Sequence, residues 1–101
     1  MKALDALSSQ CAACRRCDLA HHRQKAVVGR GNPGSDLMLI GEAPGADEDS
    51  LGLPFVGRSG RLLSALLKEA ELDEDQDLYI CNVIKCRPPN NRKPTLEEIR
   101  Q

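Results

Sequence analysis

Residues 37–41, Leu37-Met38-Leu39-Ile40-Gly41, decide how this chain folds. Four apolar residues run without a helical period and stop at a glycine, the pattern of a strand buried on both faces of a parallel sheet. Leu78 to Ile84 reads as a second strand. Between them Ser59 can cap a helix over 60–70, with Leu62, Leu63, Leu66 and Leu67 as its apolar stripe. A strand–helix–strand unit of this length predicts a parallel pair joined by a right-handed crossover, so the class is α/β.

Outward from that unit, residues 3–12 read as a short helix and Cys11 to His22 as a loop. Residues 29–35 are Gly-, Asn- and Pro-containing turn material. Residues 41–57 read as one long ordered loop, a kind that is usually functional. Asp73 to Asp77 is an acidic turn and Arg87 to Pro94 a Pro- and Asn-rich loop. Thr95 and Glu98 form a capping box opening a last helix. Two strands do not make a stable parallel sheet on their own. With one Phe, one Tyr and no Trp in 101 residues, the core material is also thin. The chain is therefore expected to be part of a larger domain.

The net charge of −1 does not advertise a nucleic-acid partner, but its distribution is uneven. Residues 42–49 carry four acids and no base; residues 85–93 carry four bases and no acid. Met1 to Leu7 has no secretory apolar stretch, and no run is long enough for a membrane span. A cytoplasmic protein is expected, and five cysteines there suggest metal or redox chemistry rather than disulfides.

Three constellations could carry chemistry. Gly41-Glu42-Ala43-Pro44-Gly45-Ala46-Asp47-Glu48 follows the first strand, at the edge where open α/β sheets bind ligands. On spacing alone, a plain acidic turn explains it as well as a pair of functional carboxylates. Gly52-Leu53-Pro54-Phe55-Val56-Gly57 offers a lone aromatic to a planar ligand such as a nucleobase, though an isolated Phe is more often core. Cys11, Cys14 and Cys17 repeat at C-x2-C-x2-C, and Cys86 follows the second strand. Such thiolates suit zinc or an iron–sulfur cluster. Cys81 reads as a small core residue and Cys11 as a spare thiol. His21 and His22 lack a spaced partner that would make them zinc ligands.

Together and in this order, the motifs resemble the family 4, iron–sulfur uracil-DNA glycosylases. The matching stretches are Cys14-Arg15-Arg16-Cys17, Val28 to Pro33, Gly41 to Gly45 with Glu48, Gly52 to Gly57 with Gly60, and Asn82 to Pro89 with Asn91-Arg92. The resemblance spans 14–101 and implies a partial three-layer α/β/α fold with a parallel central sheet. Residues 1–35 would be a cluster-binding segment and 36–101 the first strand–helix–strand unit with the start of the next helix. It further implies a 4Fe–4S cluster, with Cys14, Cys17 and Cys86 as three ligands and the fourth beyond Gln101 unless Cys11 substitutes.

The implied activity is base-excision repair: hydrolysis of the N-glycosidic bond of uracil flipped out of single- or double-stranded DNA. Phe55 would stack on the base and Asn82 would read its edge, with Gly41 and Ala43 against it. Glu42 and Glu48 would stabilise the cationic sugar and orient water. Ala43 stands where some sister families carry a catalytic Asp. The histidine that meets the departing uracil would belong to a second half. The 101-residue chain alone is thus expected to be inactive, and a monomer. Competing readings are a non-catalytic zinc or iron–sulfur module that binds nucleic acid, a glycosylase of altered base specificity, and, last, a nucleotide-binding domain. The chain lacks the Gly-Lys-Ser/Thr ending that the last would need.

Overall fold

A computed structural model of the chain describes residues 2–101. Both expected strands form and pair in parallel. β2 (Leu37–Gly41) lies beside β3 (Leu78–Asn82), in register from Leu37 opposite Leu78 to Gly41 opposite Asn82. The ladder continues past the strand ends, where Val83 N–H donates to the Gly41 carbonyl (2.9 Å) and Ile84 N–H to that of Glu42 (3.2 Å).

A third strand, β1 (Arg30–Gly31), forms inside the 29–35 stretch whose composition predicts only a turn. It pairs antiparallel with the other edge of β3, giving the order β1-β3-β2 and a mixed sheet. Two residues carry no periodicity, so β1 is defined by its partner rather than by its own sequence. Gly31 makes the approach possible. Its φ is +101°, and a Cβ there would overlap the Leu78 carbonyl.

Being central, β3 is buried along its whole length. Leu78, Ile80 and Leu67 form the core, with Leu39, Phe55, Leu63 and Leu72 packed against it. Tyr79 lies in the same strand, its ring occupying the space that a side chain at Gly29 would fill. β2 corrects the expectation of a strand buried on both faces: Met38 is 54% and Ile40 62% exposed, and only Leu39 turns inward. It is the outer strand, and no described element covers its second face.

α3 (Arg58–Glu69) begins earlier than expected. Its N-cap is Gly57 rather than Ser59, because the Gly57 N–H is already held by Glu48 (2.9 Å) and its backbone is extended. The apolar stripe is narrower than its sequence: Leu67 is buried and Leu63 half-buried, while Leu62 and Leu66 are exposed. The 41–57 segment is not one loop. It contains α2 (Ala46–Leu51), whose Ala-Asp-Glu-Asp-Ser-Leu sequence shows no apolar period but places three acids against the positive end of the helix. α1 (Lys2–Ala13) forms as read, and short 3-10 turns interrupt the two remaining loops at Asp18–His21 and Pro89–Asn91. No helix among the described residues is long and apolar enough to cross a membrane.

α4 (Leu96–Arg100) carries the expected capping box: Glu98 N–H donates to Thr95 Oγ1 (3.2 Å), and Thr95 N–H to Glu98 Oε1 (2.9 Å). Arg92 donates to both Glu98 oxygens (2.8 and 2.7 Å). These donors, led by Arg92, hold the Glu98 carboxyl down at about 2. A carboxyl with a lowered folded value stabilises fully above its ordinary pKa, and that support fades as pH falls towards 2. The Arg92–α4 junction is thus expected to lose helicity between about pH 4.5 and 2. A far-UV circular dichroism titration checks this; Glu98→Gln should flatten that part of the curve.

Candidate base-binding site

The carboxyl ends of β2 and β3 open into a cavity of about 450 Å³. Its walls come from the segment after β2, the start of α2, the Phe55 loop, the start of α3, the end of β3 and the Pro89–Asn91 turn. The sheet register sets its floor. Gly41 and Asn82 are opposed in the ladder, and Phe55 reaches over Gly41. A Cβ at 41 would overlap Asn82 Oδ1 and lie 2.6 Å from Phe55 Cζ. Glycine there lets an aromatic ring and an amide share one small surface.

Asn82 is 4% exposed. Its backbone carbonyl accepts from Lys85 Nζ (2.7 Å), but its side-chain amide bonds to no described residue and lines the cavity. The polar atoms of that amide are open to the cavity, where water or a ligand can complete their hydrogen bonds. Phe55 serves both readings made of it: part of its ring packs on the core, and part lines the cavity. Its φ of +54° lies in the left-handed region, which costs a non-glycine residue of order 1–3 kcal/mol.

The two carboxylates differ. Glu48 sits on α2, not in a loop. Its Oε1 accepts from Gly45 N–H (3.0 Å), and its Oε2 from Val56 N–H and Gly57 N–H (2.9 Å each). Burial pushes its pKa up, but the backbone donors outweigh burial and hold it below the usual carboxylate value. Glu48 thus fastens the Phe55 loop to α2. Glu42 is exposed, and no described residue engages its carboxylate; with half-buried Ala43 it lines the cavity. Glu48→Gln would turn one acceptor into a donor facing those amides, and is expected to cost about 1–3 kcal/mol. The melting-temperature gap from wild type should be largest at neutral pH and shrink on acidification, as the native carboxylate protonates.

Sequence reasoning missed Asp49, read only as one of four clustered acids. It is 1% exposed, and its Oδ1 accepts from Gln24 N–H (2.8 Å) and Lys25 N–H (3.3 Å), tying the N-terminal segment to α2. No local signal marks Asp49, whose partners lie 24 and 25 positions away. Arg58 of the cavity wall was missed as well, and Asn91 enters the sequence reading only as part of a family motif, with no role given to it.

The cysteine segment meets the end of β3 through Arg23. Its guanidinium donates to Cys86 Sγ (3.2 Å) and to the carbonyls of Cys14 and Ala12 (2.9 Å each). Val27 N–H reaches the Lys85 carbonyl (2.6 Å). Burial pushes the Cys86 thiol up, while the Arg23 donor opposes that shift. Cys14, Cys17 and Cys86 are free and half-buried, Cys81 is buried in β3, and Cys11 lies in the last turn of α1. Among the described residues, no three His, Cys, Asp or Glu side chains are gathered closely enough to hold one metal ion. Thiols from two chain regions still converge around one guanidinium, with Cys14 and Cys17 near Cys86, a donor set of the soft kind.

Residues 28–101 match the uracil DNA glycosylase superfamily. The chain is 48% identical to the type-4 uracil-DNA glycosylase of Thermotoga maritima over 94% of its own length and 49% of that protein's. It is also 48% identical to the type-4 uracil-DNA glycosylase of Archaeoglobus fulgidus, over 98% and 49%. It is 38% identical to the type-5 uracil-DNA glycosylase of Thermus thermophilus, over 73% and 39%. The chain thus spans about half the length of the type-4 relatives.

Proposed function

Since the chain belongs to the uracil DNA glycosylase superfamily, we propose that it holds the base-reading part of an enzyme that hydrolyses the N-glycosidic bond of uracil flipped out of DNA. The carrying observation is the Asn82 amide, unspent within the fold and open to the cavity, beside Phe55 on the bare surface of Gly41. An amide can donate to a uracil carbonyl and accept from its ring N–H at once. Phe55 would stack on the flipped base, with Gly41 and Ala43 against it. As the bond from sugar C1′ to uracil N1 breaks, the electron pair leaves with the base and positive charge grows on the sugar. Glu42, at the mouth, would stabilise that charge and orient the water whose oxygen bonds C1′, the water's proton passing to the carboxylate. Glu48 would keep the Phe55 loop in place. Arg58 on the cavity wall and the basic 85–93 segment would meet DNA phosphates.

Cys14, Cys17 and Cys86 would hold a 4Fe–4S cluster, which when bound supplies a covalent tie between segment 1–35 and the unit over 36–101. After anaerobic reconstitution, Cys14→Ser and Cys86→Ser are expected to lose most iron and acid-labile sulfide, and Cys81→Ser to keep both. Elemental analysis and visible absorption report this.

Uracil release from a single-stranded oligonucleotide with one deoxyuridine tests the activity. The chain is assayed alone and joined to the half of the Thermotoga relative that it does not match. Release by the joined protein, and none from a thymidine control, supports the reading. A folded, cluster-loaded joined protein that releases no uracil overturns it.

A further inference from the structure

Phe55 carries the aromatic face of the site on a left-handed backbone, and the residues around it hold that backbone from two sides. Glu48 takes the two N–H groups that follow, at Val56 and Gly57. The two carbonyls on the other side are taken by a residue far away in sequence. Arg30, in β1, donates through Nε to the Pro54 carbonyl (2.8 Å) and through Nη2 to the Phe55 carbonyl (3.2 Å). Its Nη1 is paired with Glu74 Oε1 at 2.9 Å, and its side chain is only 13% exposed. A cation therefore grips the carbonyl side of this turn and an anion its amide side. Gly60 closes the remaining space, since a Cβ there would overlap the Phe55 carbonyl.

From this geometry we infer that Arg30, aimed by Glu74, is a positioning residue that holds the Phe55 ring ready to stack on the base. The inference rests on the uracil-reading site proposed above. A planar guanidinium reaches two successive carbonyls and a carboxylate in one plane, which the single ammonium of lysine does not do. β1 pairs Arg30 with Ile80, two residues before Asn82, so the sheet that aims the amide also aims the ring's clamp.

Phe55 is the only phenylalanine in the chain, so labelling with 4-fluorophenylalanine yields one 19F resonance, read on the intact chain without any need for turnover. Wild type should give one narrow line that moves on addition of free uracil and not of thymine. Arg30→Ala and Arg30→Lys should broaden or split the line and weaken uracil binding about tenfold or more, with the far-UV spectrum retained. If Arg30→Ala does not fold, Glu74→Ala decides: it removes only the aiming carboxylate and should broaden the same line. A folded Arg30→Ala, or in its stead Glu74→Ala, with an unchanged line and unchanged uracil affinity overturns the clamp. A wild-type line that ignores uracil counts against the uracil reading instead. The clamp is then judged by line width alone.

Discussion

Asn82→Ala is expected to lower uracil release by the joined protein about 10³-fold, the size of effect seen when a preorganised hydrogen-bonding group is removed from a water-excluded site. The same change should leave the melting temperature nearly where it was. Most buried asparagines are spent on the fold, and losing them strands a partner. Here the side-chain amide has no described partner to strand. Its polar atoms face the cavity and not the core, so truncation leaves no unpaired group in the interior. A site residue and a structural residue at the same level of burial thus separate in two measurements. A large fall in melting temperature, or release within about threefold of wild type, would show that the amide serves the fold and not the base.

Ile80→Ala should do the reverse. Ile80 is fully buried at the middle of the central strand, against Leu67 and Leu78, with a neighbouring strand on each side. Truncation of such a side chain costs about 2–5 kcal/mol, transfer and cavity terms together. At about 0.05–0.15 kcal/mol per residue, a chain of this length has about 5–15 kcal/mol in all. The variant should therefore melt tens of degrees lower, or be unfolded at room temperature. Leu62→Ala, at a leucine 62% exposed, is the control and should stay within about 0.5 kcal/mol of wild type. Chemical denaturation of the three proteins gives the comparison directly.

The contrast between Asn82 and Ile80 also marks where sequence reading succeeds. The two strands, the intervening helix and the Thr95–Glu98 box are legible because each is written in residues within a few positions of one another, and the parallel pairing follows from their order. The family motifs then put Gly41, Phe55 and Asn82 on one surface, where the structure brings them together. What escaped is what long-range contacts decide. β1 exists only because β3 lies beside it. Asp49 is buried by amides some 25 positions upstream. Arg30 looks like any loop arginine until Pro54, Phe55 and Glu74 converge on it. The exposed faces of β2 and α3 belong to the same class. Their apolar pattern is clear, but a pattern shows only what could be covered, and not what is.

Tyr79 has an optical consequence. With no tryptophan in the chain, it is the dominant emitter of near-ultraviolet fluorescence. It sits in the middle strand, packed over Gly29 and shielded from water. The light this protein gives off is therefore a gauge of a single position. It will change when the sheet opens and stay silent while α4 frays or α1 comes and goes.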